Sequence, residues 1–157
     1  MKIETGYLYH IKDDFFEVVN DNKIMSNHEL GKKRPTYFTI KDGDILWFIP
    51  FSSKVEKYQK IIDNKIKKYG KCDTILIREI FGKRQAILLQ NAFPTLEKYI
   101  DHVHTINGVP AKVINTLKDE ITLRFDYMIK MKKCGVNLFF VDIDKIKKQL
   151  EKELLSV

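Results

Sequence analysis

The segment "PTYFTIKDGDILWFIPFSSK", residues 35–54, decides how this chain folds. Two runs rich in β-branched and aromatic residues, "PTYFTIK" and "DILWFIP", flank Asp42-Gly43, and Asp-Gly between such runs signals a tight hairpin. The second run stops on Pro50 and gives way to Phe51, Ser52, Ser53 and Lys54 before a helical pattern begins. A buried strand that ends on two hydroxyls and an amine at a helix start has two readings. The serines cap the helix, or they seat a phosphate.

Outward from this hairpin, Val55, Tyr58, Ile62, Ile66 and Tyr69 recur at helical spacing, and Gly70 is placed to end the helix. At about 100° per residue, Lys54, Lys57, Lys60, Lys65, Lys67, Lys68 and Lys71 fall on the opposite face. A second hairpin joins "DTILIREI" to "RQAILLQ" through Phe81-Gly82-Lys83. Upstream, "GYLYHI" reads as a strand, Asp13 is placed to cap a short helix over "DDFFEVV", and Asn20–Arg34 as a polar loop. Downstream, Pro94 and the Asn107-Gly108 turn bound a less regular stretch with room for one short strand. Leu117, Ile121, Phe125 and Met128 or Ile129 predict a helix within residues 113–134, stopped by Gly135. "VDIDKIKKQLEKELL" predicts a last helix, capped by Asp142 and packed through Ile143, Ile146, Leu150 and Leu154.

Strands joined mostly as hairpins, with helices between and after them, define an α+β fold. The expectation is a compact twisted antiparallel sheet, curled into a partial barrel, with inserted and C-terminal helices. At 157 residues the chain is one domain, residues 1–157, and 44% hydrophobic against 31% charged residues is a globular balance.

Several function classes drop out at this stage. Neither G-x-x-x-x-G-K-[ST] nor G-x-G-x-x-G occurs, which argues against a nucleotide-binding enzyme. Cys72 and Cys134 are far apart, and His102 and His104 lack a metal-binding frame, so no metal, disulfide or cofactor is expected. No apolar run approaches the ~18 residues of a membrane span, and "MKIETGYLYH" has no secretory core, so a cytoplasmic protein without membrane contact is expected.

Charge is the most informative bulk property once it is divided along the chain. Of 28 Lys/Arg and 21 Asp/Glu, residues 32–71 hold eleven and four, leaving seventeen of each elsewhere; the whole net charge of +7 sits in one block. Such a block is either a solvated basic face or a surface for a polyanion, above all a nucleic acid.

The order of "KKRPTYFTI", "ILWFIPFSSK", a basic helix and "LLQNAFP" resembles the ToxN/AbiQ-like endoribonuclease toxins of type III toxin–antitoxin systems, nearest the CptN branch. The likeness runs from "GYLYHIKDDFFEVVN" to the last helix. It implies a Kid/MazF-like sheet and metal-independent cleavage of cellular and phage mRNA, with a role in phage defence or growth arrest. It further implies an inhibitory antitoxin RNA pseudoknot, cut by the toxin from a repetitive precursor and held in a closed protein–RNA hetero-oligomer.

Metal-free RNA cleavage turns the ribose 2'-hydroxyl on its neighbouring phosphate, giving a 2',3'-cyclic phosphate and a 5'-hydroxyl. Such chemistry needs groups that orient the diester, cations for the charge that develops, and a proton acceptor and donor. The resemblance maps the family's Thr/Ser-Ser pair onto Ser52 and Ser53, as positioners of phosphate and 2'-hydroxyl. Its lysine after the hairpin-opening proline falls on Thr36, and its second lysine falls on Val55, while Lys54 follows the serines directly. Charge stabilisation is therefore assigned to Arg34 and Lys54, with Thr36 and His28 as further candidates, a histidine being the side-chain type whose unperturbed pKa lies close to neutrality. Lys32, Lys33, Lys57, Lys60, Lys65, Lys67 and Lys68 are assigned to RNA phosphates, and Tyr37 and Tyr99 to stacked bases. Trp47 and Phe48 read as core, and His102 and His104 as RNA contacts at most. A non-catalytic RNA-binding protein using the same basic face is the alternative, and a gyrase-type poison a third reading, since fold alone does not fix function.

Overall fold

In the computed structural model, which describes residues 2–19, 21, 23–24 and 36–156, the chain runs from β1 (Leu8–Ile11) through α1 (Asp14–Val19) into a hairpin of β2 (Tyr37–Asp42) and β3 (Ile45–Ser52). Asp42 pairs with Ile45, so the two-residue loop is Gly43-Asp44, one position later than the sequence suggests. Gly43 adopts a φ of 61°, the left-handed region that glycine enters without a Cβ clash. Helix α2 (Val55–Tyr69) follows, then the hairpin of β4 (Ile75–Ile80) and β5 (Lys83–Leu88). There Phe81-Gly82 alone make the loop, and Lys83 already pairs with Ile80.

The irregular stretch holds more structure than expected. It forms β6 (Phe93–Thr95), β7 (Ile100–Val103), and a small hairpin of β8 (Thr105–Ile106) and β9 (Val109–Pro110) around Asn107-Gly108. The chain closes with α3 (Asn115–Lys133) and α4 (Ile143–Leu155).

Strand β3 organises the sheet, whose order is β4-β5-β3-β2-β1-β7, with β6 also on β3 and every pairing antiparallel. Its Ile45 to Pro50 pair with β2. On the other side Leu46 to Phe48 take β6, whereas Phe51 and Ser52 take β5. Pro50 falls in the gap between those partners, where its missing N–H costs no ladder bond on that side. The path from β4 to β7 stays open, so the expected curl does not close into a barrel.

One apolar cluster runs from Ile3 to Leu150 and carries most of the burial. Tyr37 stacks on Phe48 at 5.4 Å, and Trp47 meets Phe125 of α3 at 5.1 Å, so Trp47 and Phe48 are core residues. Fully burying side chains of this size contributes roughly 1.5–3 kcal/mol each. Leu117, Ile121, Phe125 and Met128 face inward as their spacing predicts. Asp142 accepts the Lys145 N–H at 3.2 Å and caps α4, whose Ile143, Ile146 and Leu150 are buried. Leu154 departs from expectation and is exposed, beyond the last residue the core can cover.

Helix α2 rests on a second, smaller cluster. Tyr58 is buried with Ile75, Ala86 and Leu88, and Ile61 and Ile62 pack against them. That apolar floor is short, and the first turns of α2 exhaust it. Ile66 and Tyr69, expected in the buried stripe, are 47% and 66% exposed. The inward row is Tyr58, Ile61, Ile62 and Lys65, spaced three and four apart.

Candidate functional site

Ser52 is the last residue of β3 and is buried, while Ser53 and Lys54 are exposed. The Ser52 hydroxyl oxygen accepts the backbone N–H of Lys54 at 3.2 Å, and the Ser53 carbonyl accepts that of Val55 at 2.8 Å. These bonds turn the chain from strand into helix within two residues. The N-cap position of α2 is Lys54, and no side chain caps it. Neither serine therefore serves as a helix cap. Ser52 shapes the turn, and Ser53 and Lys54 stand in solvent at a helix start whose backbone dipole favours an anion.

The sheet register brings a third candidate to this end. Tyr37 pairs with Pro50, so Thr36, half-buried, directly precedes the end of the β2–β3 ladder from which β3 runs on to the serine turn. Arg34, His28, Lys32 and Lys33 lie outside the described residues.

On α2 the expected phosphate-binding lysines divide. Lys57, Lys60, Lys67 and Lys68 are exposed as predicted. Lys65 is not on that face: its ammonium donates to the Thr74 hydroxyl at 3.0 Å and to Gln90 Oε1 at 2.8 Å. The two proposed stacking rings are also corrected. Tyr37 is fully buried against Phe48, and Tyr99 is buried with its hydroxyl donating to Glu153 at 2.6 Å. Burial and then the Glu153 carboxylate push the Tyr99 phenol well above its ordinary range. Each ring lies inside the core, where no base can reach it.

A cluster that sequence reading missed lies two strands away from β3. His10 on β1 stacks on His102 of β7 at 4.4 Å, and its Nε2 is 2.9 Å from His104 Nδ1. Burial, then the neighbouring His102, lower the His104 pKa from 6.5. A hydrogen bond between two imidazoles needs one N–H and one lone pair, so the facing nitrogens cannot both be protonated. His10 pairs directly with His102 across β1 and β7, which is a tertiary fact with no local sequence signal. Among the described residues no group of three or more ligating side chains is arranged to hold a metal ion, and no helix is long and apolar enough to cross a membrane.

An open, all-antiparallel sheet with helices inserted after its central hairpin and at its C-terminal end places the chain in the α+β class. Within that class its fold matches a solved structure of AbiQ, a lactococcal anti-phage endoribonuclease belonging to the type III toxin–antitoxin system. The match has a TM-score of 0.65, covers 98% of this chain and 99% of that one, and carries 16% sequence identity. The two chains thus share a fold across their lengths. No family model matches the sequence, and no curated protein matches it.

Proposed function

We propose that this chain is a single-domain, metal-independent endoribonuclease toxin of a type III toxin–antitoxin system. The observation that carries the reading is the full-length likeness to the AbiQ fold, combined with an exposed Ser53-Lys54 pair at an uncapped helix start beside a lysine-rich face. In the proposed reaction a scissile phosphate sits over the first turn of α2. The Ser53 hydroxyl and the backbone N–H groups there orient the diester, and Lys54 and Arg34 offset the extra negative charge as the 2'-hydroxyl attacks. The 5'-oxygen leaves with a proton, and the products are a 2',3'-cyclic phosphate and a 5'-hydroxyl. Exposed Lys57, Lys60, Lys67 and Lys68 hold flanking phosphates.

The same surface would bind the inhibitory RNA pseudoknot, which the toxin trims from a repetitive precursor and keeps in a closed protein–RNA assembly. Release of the toxin then arrests growth or aborts phage infection. Ser52, buried and committed to the Lys54 amide, fits the alternative of a non-catalytic RNA clamp better than it fits chemistry. The catalytic burden therefore falls on Ser53.

The test is incubation of a defined RNA with the protein in EDTA, with chemical identification of the ends. Cyclic-phosphate and 5'-hydroxyl ends are expected. Tight RNA binding without cleavage would establish the clamp, and 3'-hydroxyl ends would exclude attack by the 2'-hydroxyl.

A further inference from the structure

The C-terminal half of α2 borders a cleft that the proposed chemistry does not use. Its volume is about 550 Å³, and its walls come from α2, residues 71–74, Gln90, α3 and residues 136–140. That size is typical of a pocket for one small organic group. Tyr69, Tyr127 and Phe140 line it, and Tyr69 and Phe140 are 66% and 53% exposed. Each ring carries an ammonium group: Lys68 lies 5.2 Å from the Tyr69 centroid, Lys71 5.2 Å from Tyr127, and Lys23 5.6 Å from Phe140. Alternating aromatic faces and cations is how proteins hold single-stranded nucleic acid, with rings for bases and ammonium groups for phosphates.

The floor of the cleft is polar and rich in donors. Lys65 spends two of its three N–H donors on Thr74 and Gln90. Because Gln90 Oε1 accepts from Lys65, the Gln90 amide nitrogen is turned away from that bond, and it makes no hydrogen bond to any described residue. Two adjacent donors, one charged, match two adjacent acceptors on a base edge. Guanine O6 and N7 form such a pair, whereas adenine presents an N–H₂ group in place of O6.

We propose that this cleft is a base-reading subsite, which takes one unpaired guanine of a bound RNA, stacks it on Phe140 or Tyr127 and meets its O6/N7 edge with Lys65 and Gln90. The proposal rests on the RNA-binding reading above and names a contact within it. Lys71 is already paired with Asp73 at 3.0 Å, and free guanine nucleotides share the base but not the neighbouring phosphates that Lys23 and Lys68 would hold. The occupant is therefore a nucleotide within a strand.

The probe is a 12-nucleotide oligoadenylate, 2'-O-methylated throughout so that it cannot be cleaved, with one central 6-thioguanosine for photo-crosslinking. Crosslinks are expected on peptides containing Tyr127 or Phe140. Phe140→Ala should weaken binding roughly 10- to 100-fold, with Phe140→Trp restoring it; a central guanine should bind about tenfold tighter than adenine. Full affinity in Phe140→Ala with crosslinks elsewhere would overturn the cleft and leave the RNA reading intact. Displacement of the oligonucleotide by GMP at comparable concentration would overturn a strand as occupant. Absence of binding to any RNA by the wild type would remove the RNA reading, and the subsite with it.

Discussion

The two ends of α2 carry the same kind of sequence and do opposite things. At the N-terminal end, Tyr58, Ile61 and Ile62 are seated on β4 and β5, and Ser53 and Lys54 of the preceding turn stand in solvent. At the C-terminal end, Ile66 and Tyr69 are exposed and a lysine points inward. The difference lies in what the helix meets: an apolar floor under its first turns, then the Thr74 hydroxyl and Gln90 amide beneath the last ones. Supporting structure decides which residues face out, and it separates a candidate chemical site from a candidate binding cleft along one helix.

The largest effect should come from breaking the seated end. Tyr58→Ala is expected to cost about 3 kcal/mol in urea denaturation, whereas Tyr69→Ala should stay within about 0.5 kcal/mol of the wild type. Equal costs would mean that both ends of α2 are equally packed. A smaller effect sharpens the contrast among lysines. Lys65→Met strips the Thr74 and Gln90 oxygens of their donor and should cost about 1–2 kcal/mol. Lys60→Met with Lys67→Met should leave stability unchanged and reduce the salt slope of single-stranded RNA binding by about 1.4. An unaltered slope would remove the outer face of α2 from the interface.

The smallest effect concerns the histidine cluster, far from either end of α2. The folded chain holds the His104 pKa below its unfolded value of 6.5, so the unfolded chain takes up the proton first as pH falls. Its contribution is complete above the unfolded value and is lost as pH falls through the folded one. Thermal stability should therefore decline from neutral to mildly acidic pH, and less steeply in His104→Asn. An identical decline in the variant would place the titrating group elsewhere.

Local patterning made both hairpins, α2, α3 and the Asp142 cap legible, because each rests on spacing or a turn residue within a few positions. The first loop shifted by a residue, since Asp-Gly fixes that a turn occurs but not which pair occupies it, and the second gave up Lys83 to β5. β6 to β9 were mostly hidden: strands of two to four residues, two of them containing proline, leave too little periodicity. Tyr37 and Tyr99 were misplaced because a tyrosine's exposure depends on what packs over it from other elements. The serine turn was visible, but the division of labour within it was not. The Ser52 hydroxyl is taken by the Lys54 amide only once β3 stops and α2 starts where they do.

The most direct test of the account compares cleavage and binding by Ser53→Ala on one preparation, under single-turnover conditions in EDTA. Loss of at least about 100-fold in cleavage with RNA affinity unchanged is the predicted result, because in the proposed reaction the exposed Ser53 side chain orients the scissile phosphate. Cleavage at the wild-type rate, or lost only in step with binding, would contradict the placement of chemistry at the start of α2.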